Sequence, residues 1–288
     1  GEASGWLPFV DRWGPGPTVI AKTPFDPLAA WTAEGTVAPY LAESFEPNDD
    51  HSVWDVVLRP DVAFHDGTPV DAAAVALSIE EFRTSPLTVL AMAPVTGVEA
   101  VAGDPLRVRI TLDQPWVSFP ALFTSQLGYV AAPSQVRALD TQRPIGSGPF
   151  RFERWTPDAD LVVRRHDRYW RTDDGGEALP YLDEVRFTPM PDEQARLSSL
   201  QTGDLDVAQT ISPTTVARTL TDPGSVPGGI QVLEDGSESD EYHVLLNTQT
   251  GPFADARLRR AVQLATDREQ IIDAFDGAFL PADGPMSP

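Results

Sequence analysis

Four histidines, His51, His65, His166 and His243, are the side chains best able to ligate a transition metal or shuttle a proton. No two of them stand at the one-turn spacing that zinc hydrolases place on a helix, so no metal-catalytic site is expected. The chain has no cysteine, which removes disulfides, thiolate ligands and cysteine nucleophiles together. His65-Asp66 looks like half of a base and orienter pair, but it sits in Phe64-His65-Asp66-Gly67-Thr68-Pro69, where Asp-Gly makes a turn and Thr-Pro opens a helix. Turn chemistry therefore accounts for each residue. Gly146-Ser147-Gly148-Pro149 lacks the lysine of a phosphate loop and leads into a strand, so it reads as a tight turn. There is no Gly-x-Ser-x-Gly nucleophile elbow. Asp204-Leu205-Asp206 puts two carboxylates on one face of an extended segment, where a solvated strand start explains them better than paired acid and base. What remains is aromatic: of the seven tryptophans, Trp6 two residues before Pro8 and Trp116 after Pro115 stand in loop-like sequence where a ring can stack on a ligand, although core packing is the favoured reading for any single tryptophan.

Elements that would position these residues follow from periodicity. Alternating apolar and polar residues predict strands at Val53–Arg59, Leu106–Leu112, Phe150–Trp155, Leu161–Arg165, Val185–Pro189, Ile230–Leu233 and Tyr242–Leu246. Thr156-Pro157-Asp158-Ala159 between two of them predicts a hairpin. Thr68-Pro69-Val70-Asp71 predicts a cap and first turn for a helix whose stripe is Ala72, Val75, Ala76, Ile79 and Phe82. Further helices are expected from about Pro191 to Thr202 with Gly203 as the stop, from Ser212-Pro213, along Leu258, Ala261, Val262 and Ala265, and after a fresh cap at Asp267. Strands and helices mix without regular alternation. The expected class is therefore mixed α/β or α+β with more than one subdomain.

Composition bounds the function classes. At 288 residues with 41% hydrophobic residues, the chain can bury a substantial core. A formal charge of −22, from 43 acidic against 21 basic residues, opposes phosphate backbones and anionic bilayers. Nucleic acid is not an expected partner. No run reaches the roughly 18 apolar residues of a membrane span, and Gly1–Gly5 lacks the regions of a signal peptide, so any membrane association is expected through an anchor not present in this chain.

Four stretches, in order, resemble family 5 extracellular solute-binding proteins, the peptide and nickel type that serve ABC importers. The first is Pro39-Tyr40-Leu41-Ala42-Glu43-Ser44 with Trp54–Arg59 and Val62–Val70. The second is Gly146–Phe150 with Trp155, Arg164–Asp167 and Tyr169-Trp170. The third is Leu182-Asp183, Val185 and Phe187, then Arg196 and Gly203–Asp206. The fourth runs from Leu246-Asn247-Thr248 through Pro252–Asp255, Arg257, Arg259 and Ala261 to Asp267-Arg268. Two departures stand out: Asp71–Val75 replaces a more acidic segment common in the family, and the residues before Thr23 match poorly.

The resemblance implies a two-lobed, periplasmic-binding-protein-like fold with an extra inserted subdomain and a second lobe incomplete in this chain. Residues 1–40 and 145–243 would form the core of lobe one, 41–144 the insert, and 244–288 the start of lobe two. It also implies a non-enzymatic role outside the cytoplasmic membrane, in which an oligopeptide, dipeptide or similar small solute is captured and delivered to an ABC permease, with no cofactor. A ligand-sensing regulatory module of the same fold is the alternative. Ligand-binding candidates carried over from the resemblance are Trp6, Trp116, Tyr242, His243 and Asn247. The four tryptophan and motif aromatics Phe150, Trp155, Tyr169 and Trp170 are expected in the core instead.

Overall fold

A computed structural model describes residues 3–210, 212, 215, 229–233 and 244–275. The architecture is mixed α/β, as expected, and the chain divides into two units, Gly1–Pro189 and Met190–Pro288.

In the first unit, helix α1 (Pro15–Ala21) leads to a short antiparallel pair, β1 (Ala29–Trp31) and β2 (Val37–Pro39). A four-stranded antiparallel sheet follows, in the order β3 (Ala42–Pro47), β4 (Val53–Leu58), β6 (Arg107–Leu112), β5 (Val95–Ala100). Period-2 patterning decides which face is buried: Trp54, Val56 and Leu58 on β4 and Val108, Ile110 and Leu112 on β6 are all in the core. Helix α2 (Ala72–Thr84) lies against β5 and β6 and buries Val75, Ile79 and Phe82. Each such side chain contributes about 1.5–3 kcal/mol of burial. The outer face is ionic. Asp55 on β4 takes both arms of its cross-strand partner Arg109 at 2.8 and 2.9 Å, and Arg107 reaches Glu46 at 2.7 Å.

Helix α3 (Pro133–Ala138) precedes the third sheet, β7 (Phe150–Thr156), β8 (Asp160–Arg165) and β9 (Glu184–Phe187), antiparallel in that order. The hairpin expected at Thr156–Ala159 is present, closed by the Ala159 amide on the Thr156 carbonyl at 3.0 Å with Asp158 at a positive φ of 60°. Phe150 and Tyr169 are buried, and Trp155 and Trp170 are partly buried against the same core.

Two expectations are corrected. The helix after Thr68-Pro69 starts three residues later, at Ala72, because Asp71 is the better cap: its carboxylate accepts the Ala74 amide at 2.8 Å. Thr68 is occupied elsewhere, donating its amide and hydroxyl to Asp66 at 3.0 and 2.6 Å, while Pro69 bridges to Ala63. Ile230–Leu233 and Val244–Leu246 alternate as strands do, yet neither is one, because among the described residues no segment lies alongside to pair their backbones. Leu233, Val244 and Leu245 are correspondingly exposed. Tyr242 and His243, and most of the helix expected from Ser212-Pro213, lie outside the described residues.

Among the described residues of the second unit, the regular elements are helices. Helix α4 (Glu193–Thr202) is capped by Asp192 on the Ala195 amide at 2.7 Å and stopped by Gly203 in the left-handed region at φ 81°, where glycine pays no steric penalty. Asp255 caps helix α5 (Ala256–Ala265) and Asp267 caps helix α6 (Arg268–Ala274), the latter as the sequence predicts. Leu258 and Leu264 on α5, Ile271 on α6 and Phe275 just after it are exposed.

Candidate functional site

Three loops of the first unit meet through side chains that bond to backbone. After α2 the chain turns at Ser85, whose hydroxyl donates to the Phe9 carbonyl at 2.6 Å. Gln126, in the turn before Tyr129, donates its amide to the Pro8 and Asp11 carbonyls, each at 2.6 Å. Within the N-terminal loop, the buried Asp11 carboxylate accepts the Leu7 amide at 2.9 Å and the Ser4 hydroxyl at 3.1 Å. Trp13 donates its indole N–H to the Gly5 carbonyl at 2.9 Å. Phe9 meets Phe82 edge to face below, with centroids 6.1 Å apart. The loops are thus tied to one another by side-chain bonds, and several of their apolar side chains are exposed. Val10, Leu87 and Val89 are each more than two-fifths exposed, and Leu90 is 89% exposed. Apolar side chains gathered on locked loops mark an interaction surface.

A separate polar hub is assembled from motifs far apart in sequence. Asp26, 1% exposed, accepts from Ser147 at 2.9 Å, Tyr169 at 3.0 Å and the Trp170 indole at 2.9 Å. Arg171 donates to the Tyr40 hydroxyl at 2.7 Å, and Tyr40 lies 3.1 Å from the Tyr169 hydroxyl. A guanidinium can only donate, so the protons run one way: Arg171 to Tyr40, Tyr40 to Tyr169, Tyr169 to Asp26. Burial, with the Asp26 charge adding to it, pushes the Tyr169 phenol far above its ordinary range and keeps it a donor. Burial also raises Asp26, against the pull of Trp170, Ser147, Tyr169 and the Arg171 charge. The cations stack as well, with Arg59 5.1 Å from the Trp170 ring and Arg171 4.7 Å from that of Tyr40.

Gly146-Ser147-Gly148-Pro149 is the tight turn that fastens this hub. A Cβ on Gly146 would fall 2.0 Å from the Pro24 carbonyl oxygen, and one on Gly148 2.5 Å from that of Thr23. Only glycine lets the two segments approach. His65 donates from Nε2 to the Gly148 carbonyl at 2.9 Å, which leaves its buried Nδ1 without a partner among the described residues. Burial holds this imidazole neutral, down to about 4, and lowers His166 beside it, 5.0 Å ring to ring. The His65-Asp66 pair therefore performs the turn role expected of it.

Of the sequence candidates, Trp6, Trp116 and Asn247 fall within the described residues. Trp6 is 1% exposed, packed on Trp155 with centroids 5.6 Å apart and on Trp13 at 6.1 Å. Its ring supports the N-terminal loop and meets no solvent. Trp116 is half-buried in the segment after β6, edge to face with Phe119 at 5.5 Å, its indole donating to Ser118 at 3.0 Å. Asn247 belongs to the second unit, where its side-chain oxygen accepts the amides of Gln249 and Thr250 at 3.0 and 3.3 Å in a turn. Tyr242 and His243 lie outside the described residues. Val10, Leu87, Leu90, Ser85 and Gln126 were missed by sequence reasoning. The one available signal was the run Leu87-Thr88-Val89-Leu90, apolar but placed beyond a helix end at Ser85-Pro86.

The motifs that carried the resemblance thus build a hub of turns and buried polar contacts, and the match of a family model extends over the same ground. The model for bacterial extracellular solute-binding proteins, family 5 middle, matches residues 36–288. The chain belongs to this family. Among its relatives, the glutathione-binding protein GsiB of Pectobacterium atrosepticum is 27% identical over 278 residues, 93% of this chain and 51% of that protein. The PBP AgaA from A.tumefacien R10, solved in complex with agropinic acid, superposes with a TM-score of 0.76 at 26% identity, covering 96% of this chain and 55% of that one. The nickel ABC transporter structure from Bacillus halodurans gives a TM-score of 0.68 at 27% identity, covering 100% and 57%. The family 5 chain described here spans about half the length of the curated relatives it matches. Family 5 relatives are binding proteins of transport systems, and the periplasmic-binding-protein fold expected from sequence is the one found.

Proposed function

We propose that this chain forms one wall of the ligand cleft in the substrate-binding component of an ABC importer. It acts outside the cytoplasmic membrane, captures a peptide or similarly small solute and hands it to the permease, and it makes and breaks no covalent bond. Membership of the family over residues 36–288 carries this reading. The apolar rim of Val10, Leu87, Val89 and Leu90 supports it, because exposed apolar side chains on loops held by hydrogen bonds suit contact with the side chains of a small solute. The relatives' ligands, glutathione and agropinic acid among them, are small polar molecules, which fits the same class.

In this reading, residues 1–40 with 145–243 form the core of lobe one, 41–144 an inserted subdomain, and 244–288 the beginning of lobe two. The position of the four-stranded sheet, wholly inside 41–144, supports the insert. Asn247, Tyr242 and His243 then stand at the crossing between lobes, and a ligand is held when the lobes close on it. Trp116 is kept as a contact of the insert, and Trp6 as the support under the N-terminal loop.

Native mass spectrometry of the protein from its own host identifies the co-purified solute, and calorimetry with that solute then compares wild type with Leu87→Asp and Leu90→Asp. Each variant should bind about tenfold more weakly or worse, as expected for a charge placed at an apolar contact. Unchanged affinity in both would remove this surface from the ligand site.

A further inference from the structure

The first unit holds a concave feature that shares no residue with the loops above. It is a cavity of about 640 Å³ bounded by Gln142–Ile145, by the β7 residues Arg151–Trp155, and by His65 and Asp66. Five charged side chains stand on its wall, and most are already committed. Arg154 is tied through both nitrogens to Asp160, and Glu153 to Arg164. Asp66 is turned to its own neighbours, accepting from Thr68 and, at 2.5 Å, from the Ser134 hydroxyl. Arg143 and Arg151 are different. Neither guanidinium has a carboxylate or hydrogen-bond partner among the described residues. The positive charge of Arg151 is felt by His65 and His166, both of which it disfavours as cations. A chain with a net charge of −22 has acidic side chains to spare, yet among the described residues these two arginines on one concave wall have no carboxylate partner.

We propose that this cavity binds a small organic oxyanion, a carboxylate or a phosphate, between Arg143 and Arg151, with the body of the ligand against Trp155 and Ile145. Guanidinium groups match both anions because their N–H donors lie in one plane and oxyanion lone pairs can accept two at once. The half-buried Trp155 ring offers an apolar face beside them, and it packs on Trp6 in the N-terminal loop, so an occupant here touches the support of the candidate cleft without entering it. His65, held neutral and bonded to Gly148, closes the floor without adding charge.

The test is isothermal calorimetry on the 288-residue chain at low ionic strength, with inorganic phosphate in one arm and benzoate in the other. At least one probe should bind with a dissociation constant of about 1 mM or tighter. The double variant Arg143→Gln/Arg151→Gln should weaken that binding about tenfold or more, whereas Arg154→Gln should stay within about twofold of wild type. Phosphate binding alone assigns the phosphate class, and benzoate binding alone the carboxylate with an apolar body. The arginines removed are exposed and unpaired, so the double variant should unfold within about 2 °C of wild type, and each single variant gives a second reading of the same contact. Failure of both probes to bind at about 50 mM, or binding that survives in the double variant, overturns the assignment.

Discussion

The imidazole of His65 shows how one buried side chain sets a dependence on pH. Its Nε2 proton is used by the Gly148 carbonyl and burial keeps it neutral, with a folded value of about 4 against about 6.5 when unfolded. Between those two values the unfolded chain takes up a proton that the folded chain refuses. Stability is therefore fully present above about pH 6.5 and is lost as pH falls toward about 4, by up to about 3 kcal/mol. Urea unfolding of wild type across that window should show the decline, and His65→Gln should show a flatter profile; equal slopes would place the titrating group elsewhere. Asp26 makes a different demand. Asp26→Ala strands the donors of Ser147, Tyr169 and Trp170 in a buried site, and a loss of about 3 kcal/mol or more is expected from denaturant melts. Tyr169→Phe, which breaks one link and leaves the carboxylate two donors, should cost about 1 kcal/mol.

At the level of elements, side-chain oxygens decide where helices begin more often than the apolar stripe does. Helix α2 begins at Asp71 rather than Thr68 because the turn Phe64–Thr68 has already claimed the threonine for Asp66. Asp71→Ala should therefore cost about 1 kcal/mol, read as a lower urea midpoint with an unchanged slope. Thr68→Val should act on the turn instead and leave the helix content seen by circular dichroism unaltered. Loss of helix in the threonine variant and none in the aspartate variant would restore the earlier start. The loops that carry the candidate site depend on the same principle. Ser85 and Gln126 bond to carbonyls of the N-terminal loop, and a loop whose backbone is held this way gives up little entropy when a ligand arrives.

For the molecule as a whole, among the described residues the buried hydrophobic cluster and the three sheets fall within Gly1–Pro189. That unit has a self-sufficient core by composition and by packing. Residues 1–189 expressed alone should unfold in one cooperative transition with near-native β-sheet signal in circular dichroism. A molten spectrum, with tertiary signal lost while secondary structure persists, would show that the core needs residues beyond Pro189. The second unit has exposed Leu258, Leu264, Ile271 and Phe275 among its described residues, so no equivalent expectation attaches to it.

The sequence by itself determined the class of fold, most of its strands and helices, and the family. These are written locally: alternation in Val53–Leu58 and Arg107–Leu112, the turn at Thr156–Ala159, the αL stop at Gly203 and the cap at Asp267 each need only a few neighbouring residues to act. The motif order could be read for the same reason, since turns and caps keep their residue types. Only the tertiary structure decided what faces outward. Trp6, two residues before Pro8, reads as a loop aromatic, but the rings of Trp13 in the same loop and of Trp155 from a distant strand cover it. Leu90, with no polar neighbour to mark it as a surface residue, is left outside because its loop ends above the core rather than in it. Alternation at Ile230–Leu233 likewise promised a strand, and no segment among the described residues pairs with it, because a strand's hydrogen bonds are made by another segment and not by its own sequence.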